Sequence, residues 1–467
     1  MSADAVVIGS GVMGASIAYS LARRGYAVTV VDKKSGPAQG STGATSAIVR
    51  FTYSLRDSIA MAWESKHLWE NLPDHLQAPE AEPVADFIRT GMAVIDIPGL
   101  LPPTLRSHFD DLAIPYAEWD AVELSRELPG IDVSNYHPPV RPDDPAFLDD
   151  SAEEANALYT PDGGYISDPV LATENFVRAA QRHGAQFLYN AEVIALDHRV
   201  LDRQQTVGSA PEDVTEGVPS KAGAPDEGGD SSEGRAAWSI DLADGRVLDA
   251  AVVVNAAGPW SSRLNELAGV GSDHGVSLTP LRQEVHTLPA ESTVIRADGS
   301  RIPALLDAGI GTYMRAEVGG QLLIGGSEPE CDELEWVDDP DEVSMSVRPE
   351  QFETQSLRAA KRFNDITIPN RARGVVGVYD VAADWTPIYD QSEADGFYQA
   401  VGTSGNQFKN APMVGELMAG LIDAVEAGHD HDNDPVRIPL NLTGEELDLG
   451  TFSRLRTPAG TSGNVMG

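Results

Sequence analysis

The chain is short of cysteine and of long apolar runs, and each shortage excludes a class of protein. Cys331 is the only cysteine among 467 residues, so neither an intrachain disulfide nor a thiolate metal centre can form. No stretch approaches the roughly eighteen uninterrupted apolar residues that identify a membrane-spanning helix. The N-terminus lacks a basic region followed by an apolar stretch, so we expect no secretion signal and a cytoplasmic location.

Positive charge is scarce as well. Lys and Arg number 33 against 72 Asp and Glu, a formal charge of −39, and only six of the 33 are lysines. Such a surface repels nucleic acid and anionic membranes, so we expect neither as a partner. The acids are spread over the whole chain, which favours a halophilic protein whose self-repulsion is weakened by short screening lengths in salt. The ten histidines show no HExxH-like spacing, and we predict no metal site.

The first 32 residues carry the most informative motif. They read as strand, glycine turn, helix and second strand, over Ala5–Ile8, Gly9–Gly14, Ala15–Arg24 and Ala27–Val31. Gly9 permits a sharp turn, Gly11 has no Cβ to keep the backbone from a pyrophosphate, and Gly14 permits close packing of helix on sheet. The helix N-terminus offers free N–H groups to phosphates. Asp32, eighteen residues after Gly14, is placed to accept hydrogen bonds from a ribose, so the motif predicts dinucleotide binding.

Strand-like and helical segments alternate along the rest of the chain, which predicts an α/β fold with mixed sheets. The stretch 203–235 is rich in Gly, Ser, Pro, Asp and Glu, and we expect an acidic mobile insertion between the strands Glu192–Leu196 and Ala237–Leu242. The polar, glycine-rich tail 436–467 is expected to lie on the surface or to be disordered.

Two later segments repeat the pattern of a strand running into small residues. Ala251–Asn255 reads as a buried parallel strand, and Ala256, Ala257 and Gly258 after it would let the backbone approach a flat ligand. Farther on, a strand, a glycine-rich loop and a helix start follow one another between 396 and 412, and a helix is predicted from Met413 to Ala427. A second anion-receptive turn suits a chain that returns to cover a flavin with backbone N–H groups.

These motifs together resemble those of the D-amino-acid oxidase and sarcosine oxidase family of FAD enzymes. The similar segments, in order, are the Gly9–Gly14 turn, Gly40–Arg50, Val253–Trp260 and Gly402–Lys409. The resemblance covers nearly the whole chain except the acidic insertion and the tail. It implies a Rossmann-like FAD-binding domain and a second, substrate domain built on a large mixed β-sheet.

The resemblance also implies domain boundaries and a set of residues for non-covalent FAD. The FAD domain would comprise 1–55, 160–275 and 375–435, and the substrate domain 56–159 and 276–374. The implied cofactor-binding residues are Gly9, Gly11, Val12, Met13, Gly14, Asp32, Lys33, Ser41, Thr42, Val193, Ala257, Gly258, Gly402, Gly405, Asn406, Gln407 and Phe408. Tyr379 and Asp384 fall in a run that the family places near the flavin edge.

Three residues match positions that related amine oxidases use at the substrate. Arg50 and Lys409 are candidates to hold a substrate carboxylate, the one as a two-pronged fork and the other as a point charge. Tyr313 is a candidate to orient the carboxylate or amine. The alternatives are a surface ion pair for Arg50, a solvated loop charge for Lys409 and a core aromatic for Tyr313.

The sequence also departs from the family. The position near which monomeric sarcosine oxidases carry a flavin-linking cysteine is Gly377, and no histidine lies between Asp32 and Trp63, so a covalent flavin is not expected. No lysine lies between Lys221 and Lys361 to match the one that some sarcosine oxidases use to activate oxygen. The absence of this lysine favours a dehydrogenase that passes electrons to a carrier. The alternative is an oxidase that passes them to oxygen.

We therefore expect an FAD-dependent oxidoreductase that oxidises the C–N bond of a small carboxylate-bearing substrate. This would be an amino acid or a sarcosine- or glycine-like N-methyl amino acid, with hydride transfer to flavin N5. One alternative is an FAD-dependent 2-hydroxy acid or glycerol-phosphate dehydrogenase, which would need a base near the flavin, for which His286 is the best candidate. Another is a non-catalytic flavoprotein subunit or assembly factor.

Overall fold

The computed structural model describes residues 2–201, 235–296, 298–461 and 463–464. The predicted acidic insertion therefore lies outside the described residues, apart from Arg235. The α-helices of the described part are α1 Val12–Arg23, α2 Arg56–Glu70, α3 Leu72–His75, α4 Leu105–Asp111, α5 Ala121–Glu127, α6 Pro169–Arg182, α7 Ser261–Ala268, α8 Glu291–Val294, α9 Pro349–Arg362 and α10 Ala411–Glu426. Within that part, no helix is long and apolar enough to cross a membrane.

The strands fall into two large sheets and two small ones. They are β1 Ser2–Ile8, β2 Val28–Val31, β3 Ile48–Val49, β4 Phe87–Arg89, β5 Met92–Ile95, β6 Ala117–Trp119, β7 Ala157–Thr160, β8 Gly164–Ile166, β9 Gln186–Leu188, β10 Val193–Leu201, β11 Arg235–Leu242, β12 Val247–Asn255, β13 Leu278–Pro289, β14 Ala304–Asp307, β15 Thr312–Glu317, β16 Gln321–Gly326, β17 Glu335–Trp336, β18 Gly374–Ala382, β19 Ile388–Gln391, β20 Phe397–Val401, β21 Arg437–Leu440 and β22 Glu445–Asp448. The α/β fold with mixed sheets is confirmed.

The first sheet has the order β10-β11-β12-β1-β2-β9. Strand β20 pairs with the C-terminal end of β12, and β19 pairs with β20. Strands β12, β1, β2 and β9 run parallel, and β20 is parallel to the last three residues of β12. The carboxyl ends of β1, β2, β12 and β20 therefore meet at one edge. Ligands bind at such an edge in open α/β sheets.

The packing of this sheet explains its sequence. Residues Ala5–Ile8 of β1 and Val252–Asn255 of β12 are buried on both faces, which is why these segments read as continuous apolar runs. Helices α1, α6 and α10 share one apolar core against the sheet, and β10, β11 and α7 contribute to another core on its opposite side. Helix α1 has a core face of small residues because it packs against both α6 and α10.

The second sheet has the order β17-β13-β16-β15-β14-β5-β7-β6, and β18 pairs with β13. It is antiparallel except between β14 and β5. Helix α9 packs on it with a separate apolar core. The large mixed sheet that the resemblance implies is thus present. The residues that face the first sheet come from β13, β15 and β18.

We keep the predicted division into two domains as a proposal, with two changes that the sheets suggest. Strand β18 pairs with β13 along nine residues, so 374–382 belongs with the second sheet although 375 was predicted to begin an FAD segment. Helix α2 packs against α10 and shares its core, so 56–70 belongs with the first sheet.

The C-terminal tail differs from the expected surface or disordered segment. Strands β21 and β22 form a hairpin, and Leu447, Leu449 and Phe452 are completely buried against the first core. Arg454 is buried as well and forms ion pairs with Asp390 and Asp432. Burial of each large apolar side chain stabilises the fold by about 1.5–3 kcal/mol, so a few apolar residues suffice to fix a tail of polar composition.

Candidate functional site

A cleft runs along the edge where the carboxyl ends of the first sheet face the second sheet. Its empty volume is about 1550 Å³, with the open solvent at its mouth included. The predicted cofactor residues that line it are Gly9, Gly11, Val12, Met13, Asp32, Lys33, Ser41, Thr42, Val193, Ala257, Gly258, Gly405, Gln407 and Phe408. Residues that are far apart in sequence thus meet on one surface.

The glycine turn after β1 is built by close backbone contacts. Gly9 has a φ of +110°, and a Cβ on it would lie 2.3 Å from the carbonyl oxygen of Ala256. A Cβ on Gly14 would lie 1.9 Å from the carbonyl oxygen of Gly9, so Gly14 serves helix packing and does not line the cleft. Gly11 is the N-cap of α1 and supplies no side-chain acceptor. The N-terminus of α1 therefore opens onto the cleft with N–H groups and a positive dipole end.

Asp32 lies directly after β2 and organises this turn. Its Oδ2 accepts hydrogen bonds from the backbone N–H and the hydroxyl of Ser10, both at 2.7 Å, and its Oδ1 accepts one from the N–H of Lys34 at 2.8 Å. A carboxylate oxygen has capacity for more than one donor, so the predicted ribose contact stays open while the carboxylate holds the glycine turn.

The mouth of the cleft near Asp32 carries a cation and an indole. The Nζ of Lys33 lies 4.1 Å from the ring centroid of Trp260 and 2.6 Å from Oδ1 of Asp341. Arg263 also contacts Asp341, at 3.7 Å. Lys33 therefore links the first sheet to the segment after β17, besides lining the predicted adenosine end of the cleft.

The two hydroxyl residues expected at the pyrophosphate have different partners. The hydroxyl of Ser41 donates to the carbonyl oxygen of Val378 and so ties this loop to β18. The Oγ1 of Thr42 accepts a hydrogen bond of 3.2 Å from the N–H of Val12, at the first turn of α1. Thr42 is thus at the helix N-terminus, where the glycine motif predicts a phosphate. Its predicted cofactor role remains a proposal.

The final glycine-rich loop approaches the cleft from β20. Gly405 has a φ of +69°, and a Cβ on it would lie 2.3 Å from the ring of Tyr379. Gly402 does not line the cleft, because it packs against Leu278 and Ala382 at the start of β13 and the end of β18. Its positive φ of 68° makes it a turn residue of the loop.

Hydrogen bonds to Gln407 and Asn406, which both have amide side chains, hold the same loop together. The side chain of Gln407 accepts hydrogen bonds from Tyr389 at 3.1 Å and from Asn410 at 2.7 Å. Asn406 lines a smaller cavity beside the cleft, and its carbonyl oxygen accepts from Tyr53 at 2.8 Å and from Lys409. Of these two amides only Gln407 lines the main cleft.

That smaller cavity contains both predicted carboxylate binders. Arg50 and Lys409 are 7% and 2% exposed, so neither is a solvated surface charge. The guanidinium carbon of Arg50 and the Nζ of Lys409 lie 4.5 Å and 4.6 Å from the ring centroid of Tyr53, so one ring contacts both cations. Burial lowers the pKa of Arg50, and burial together with the charge of Arg50 lowers the pKa of Lys409 well below its ordinary range. The pair forms a positive, dehydrated pocket.

The pocket and the cleft share one wall. Thr45, Ser46, Tyr313, Tyr379, Gly405 and Phe408 line both. Tyr313 on β15 lies flat across Gly325, and its hydroxyl interacts with those of Ser46 and Tyr379. Burial raises the pKa of Tyr313 to about 12, so its hydroxyl is a neutral donor. Tyr313 is therefore at the junction where a substrate would meet a ligand in the cleft.

Two residues considered from the sequence lie elsewhere. Asp384 does not line the cleft but forms two hydrogen bonds of 2.9 Å with the guanidinium of Arg456 in the tail. On β13, Gln283 and Val285 line the cleft, so His286 points to the opposite face, where its ring packs on Phe352. Burial lowers the pKa of His286 to about 4.

Sequence reasoning missed Tyr53 and Trp69. Tyr53 contacts both cations, and the indole N–H of Trp69 donates a 2.6 Å hydrogen bond to the carbonyl oxygen of Lys409. The ring of Trp69 also stacks on Phe408. The spacing Arg50-x-x-Tyr53 was a usable signal, because a residue so close to a buried cation is available as its support.

Comparison with known proteins decides which family this cleft belongs to. Residues 4–421 match the family model described as DAO, FAD dependent oxidoreductase. The chain belongs to this family. The expected resemblance is thus confirmed, and with it FAD as the cofactor and an enzyme as the type of protein.

Individual relatives of this DAO family member are distant. It is 24% identical over 435 residues to a glycine oxidase of Geobacillus kaustophilus, and 25% over 443 to a monomeric sarcosine oxidase of a Bacillus species. Each alignment covers 91% of this chain and 94% of the relative. The match to FAD-dependent oxidoreductase domain-containing protein 1 of Xenopus laevis, 28% over 190 residues, spans only 35% of that relative and 38% of this chain. The L-proline dehydrogenase structure from P. horikoshii shares the fold, with a TM-score of 0.67, 19% identity and 97% coverage of both chains.

The residues of the cleft suit FAD. The turn at Gly9 leaves no room for a Cβ, and α1 begins at the cleft with an N-cap glycine, Gly11, which has no side chain to keep a pyrophosphate away. Farther along, Gly377, near the position expected for the linking cysteine of sarcosine oxidases, lines the cleft, and a Cβ there would lie 3.2 Å from the Cβ of Ala44. Neither residue can form a bond to a flavin, in agreement with the predicted non-covalent cofactor.

Proposed function

We propose that this DAO family member oxidises the C–N bond of an amino acid or a glycine- or sarcosine-like N-methyl amino acid. One observation carries the proposal: Arg50 and Lys409 are buried together in a pocket that shares a wall with the FAD cleft. A dehydrated guanidinium beside an amine is suited to a carboxylate, which an arginine fork binds with two hydrogen bonds. The names of the full-length relatives, glycine oxidase and monomeric sarcosine oxidase, support the same substrate class.

FAD, when bound, supplies the hydride acceptor, and this chain's residues supply position and environment. Arg50 and Lys409 would hold the carboxylate at the inner end of the pocket. The hydroxyl of Tyr313, on the shared wall, would donate to a substrate oxygen or nitrogen facing the cleft. Buried walls exclude water, which strengthens each of these interactions.

The position of His286 disfavours the hydroxy acid alternative. Removal of a hydroxyl proton needs a base such as histidine near the flavin. His286, the candidate for that base, lies on the face of β13 that is turned away from the cleft. A non-catalytic flavoprotein would have no use for a guanidinium and an amine buried together, because burial of charged and polar groups is costly.

An anaerobic screen tests the proposal. Purified FAD-loaded protein is mixed with amino acids, N-methyl amino acids and 2-hydroxy acids while the visible flavin band is followed. We expect bleaching by one or more amino or N-methyl amino acids and none by hydroxy acids. Bleaching by hydroxy acids alone would select the first alternative, and no bleaching across all three classes would select the non-catalytic one.

A further inference from the structure

The amine of Lys409 is in an unusual setting for a lysine. It is buried, it donates a hydrogen bond to the carbonyl oxygen of Asn406, and it shares the ring of Tyr53 with a second cation, Arg50. No carboxylate of the described residues forms an ion pair with it. Lys66, the other buried lysine among the described residues, shows the contrast, since its Nζ lies 2.8 Å from Oε2 of Glu70.

No carboxylate of the described residues is among the causes that set the pKa of Lys409, which are its burial and the charge of Arg50. Arg50 keeps its own proton, because a guanidinium loses it only at extreme pH. Burial raises the pKa of Tyr53 and of Tyr313 to about 12 and raises that of Tyr379 well above its ordinary value, so all three phenols are neutral. The charge of Glu328 raises the pKa of the two tyrosines of the shared wall, Tyr313 and Tyr379.

Both causes that lower the pKa of Lys409 have a plain physical origin. Burial removes the water that stabilises an ammonium ion, and the guanidinium of Arg50 repels it. A carboxylate that entered the pocket would reverse the second effect, because an opposite charge within a few ångströms favours the ammonium form. The proton affinity of Lys409 is thus coupled to the presence of a carboxylate ligand.

We propose that Lys409 accepts the proton of the substrate's ammonium group: the free enzyme holds a neutral Lys409 amine, and the bound state has a Lys409 ammonium beside the carboxylate and a neutral substrate nitrogen. This inference rests on the proposed function. One N–H bond of the substrate breaks, one N–H bond forms on Nζ, nothing is oxidised, and no proton is exchanged with the solvent overall. The substrate nitrogen then carries the lone pair that oxidation of a C–N bond requires.

Proton counting during binding tests the proposal on the FAD-loaded, oxidised enzyme. The matched ligands are isobutyrate and 2-aminoisobutyrate, which differ by the ammonium group, and the second has no hydrogen on Cα to lose. Calorimetric titrations in two buffers of different ionisation enthalpy, at the same salt and at pH values from 7 to 9, give the number of protons taken up. At the pH where Lys409 is neutral, we expect the enzyme to take up about one proton per site when isobutyrate binds. When 2-aminoisobutyrate binds, we expect it to take up about none.

Each other result overturns the proposal in a distinguishable way. No uptake with isobutyrate would mean that Lys409 is already charged, while the carboxylate site survives. Uptake with both ligands would mean that the substrate keeps its ammonium proton. Failure of both ligands to bind would overturn the carboxylate site, and with it the proposed function.

Two variants assign the proton to its residue. Lys409→Met keeps the length of the side chain and should abolish the uptake with isobutyrate. Lys361→Met removes a lysine of α9 that does not line the cleft or the pocket and should leave the uptake at the wild-type value. Unchanged uptake in Lys409→Met, with FAD content and melting temperature near wild type, would place the accepting group elsewhere.

Discussion

Removal of either buried cation should slow reduction of the flavin at limiting substrate. If Arg50 and Lys409 hold one carboxylate, an alanine at either position leaves that carboxylate with one partner. A hydrogen bond to a charged group stabilises by about 1.5–3 kcal/mol, and each 1.4 kcal/mol is about a factor of ten. Arg50→Ala and Lys409→Ala should therefore each lower the second-order rate of flavin reduction about 10- to 100-fold.

The structure predicts that the loop survives the second substitution. The carbonyl oxygen of Asn406, which loses the Lys409 donor, keeps the hydroxyl of Tyr53 at 2.8 Å. FAD content of Lys409→Ala should stay near wild type, and its pocket should still contain the guanidinium of Arg50. The assay is anaerobic stopped-flow measurement of flavin reduction at several substrate concentrations. The amount of bound FAD is measured from the absorbance of the flavin that acid releases from the protein.

The double variant separates a shared role from two independent ones. Because both side chains act on one carboxylate, the combined loss should be smaller than the sum of the single losses. Wild-type rates in both single variants would refute the carboxylate site. If Lys409→Ala loses its flavin and regains full activity when FAD is restored, Lys409 supports the cofactor loop and only Arg50 binds substrate.

Four further predictions concern the cofactor, the surface and the fold. Acid precipitation of the yellow protein should release free FAD, since Gly377 and Ala44 cannot bond to it; flavin retained in the pellet would contradict this. Lowering KCl from molar to about 0.1 M lengthens the screening distance from roughly 3 to 10 Å and should lower the melting temperature; a salt-independent melting temperature would remove the halophilic interpretation. Gly14→Ala puts a methyl group 1.9 Å from the carbonyl oxygen of Gly9 and should cost about 1–3 kcal/mol of stability together with FAD affinity, measured by denaturant unfolding and by FAD titration. Truncation after 435 removes the buried side chains of Leu447 and Phe452 and should lower the melting temperature, whereas an unaffected melting temperature would mean that the tail is dispensable.

Patterns that are local in the sequence predicted most elements of the first sheet. The predicted strand before Gly9 and helix after it appear as β1 and α1, and the predicted strands around the acidic insertion pair as β10 and β11. The late helix expected from Met413 to Ala427 is α10, Ala411–Glu426. These segments were predictable because periodicity and glycine turns depend on neighbours in sequence.

Contacts between distant segments were not predictable in this way. Ser41 bonds to β18 and Asp384 to Arg456 because of how the second sheet and the tail pack, which no local pattern encodes. The polar composition of the tail led to the expectation of a surface or disordered segment. Leu447 lies in β22, Leu449 follows two residues later, and both side chains are buried. At the pocket, the sequence suggested both cations, but not that the ring of Tyr53 contacts each of them.

The proposed chemistry is tested most directly by glycine, sarcosine and glycolate, which share a carboxylate and differ at the carbon beside it. FAD-loaded enzyme is mixed anaerobically with each, and the visible flavin absorbance is followed to completion. We expect bleaching by glycine or sarcosine that saturates with concentration, and an unchanged spectrum with glycolate. Bleaching by glycolate while both amines leave the flavin oxidised would contradict it.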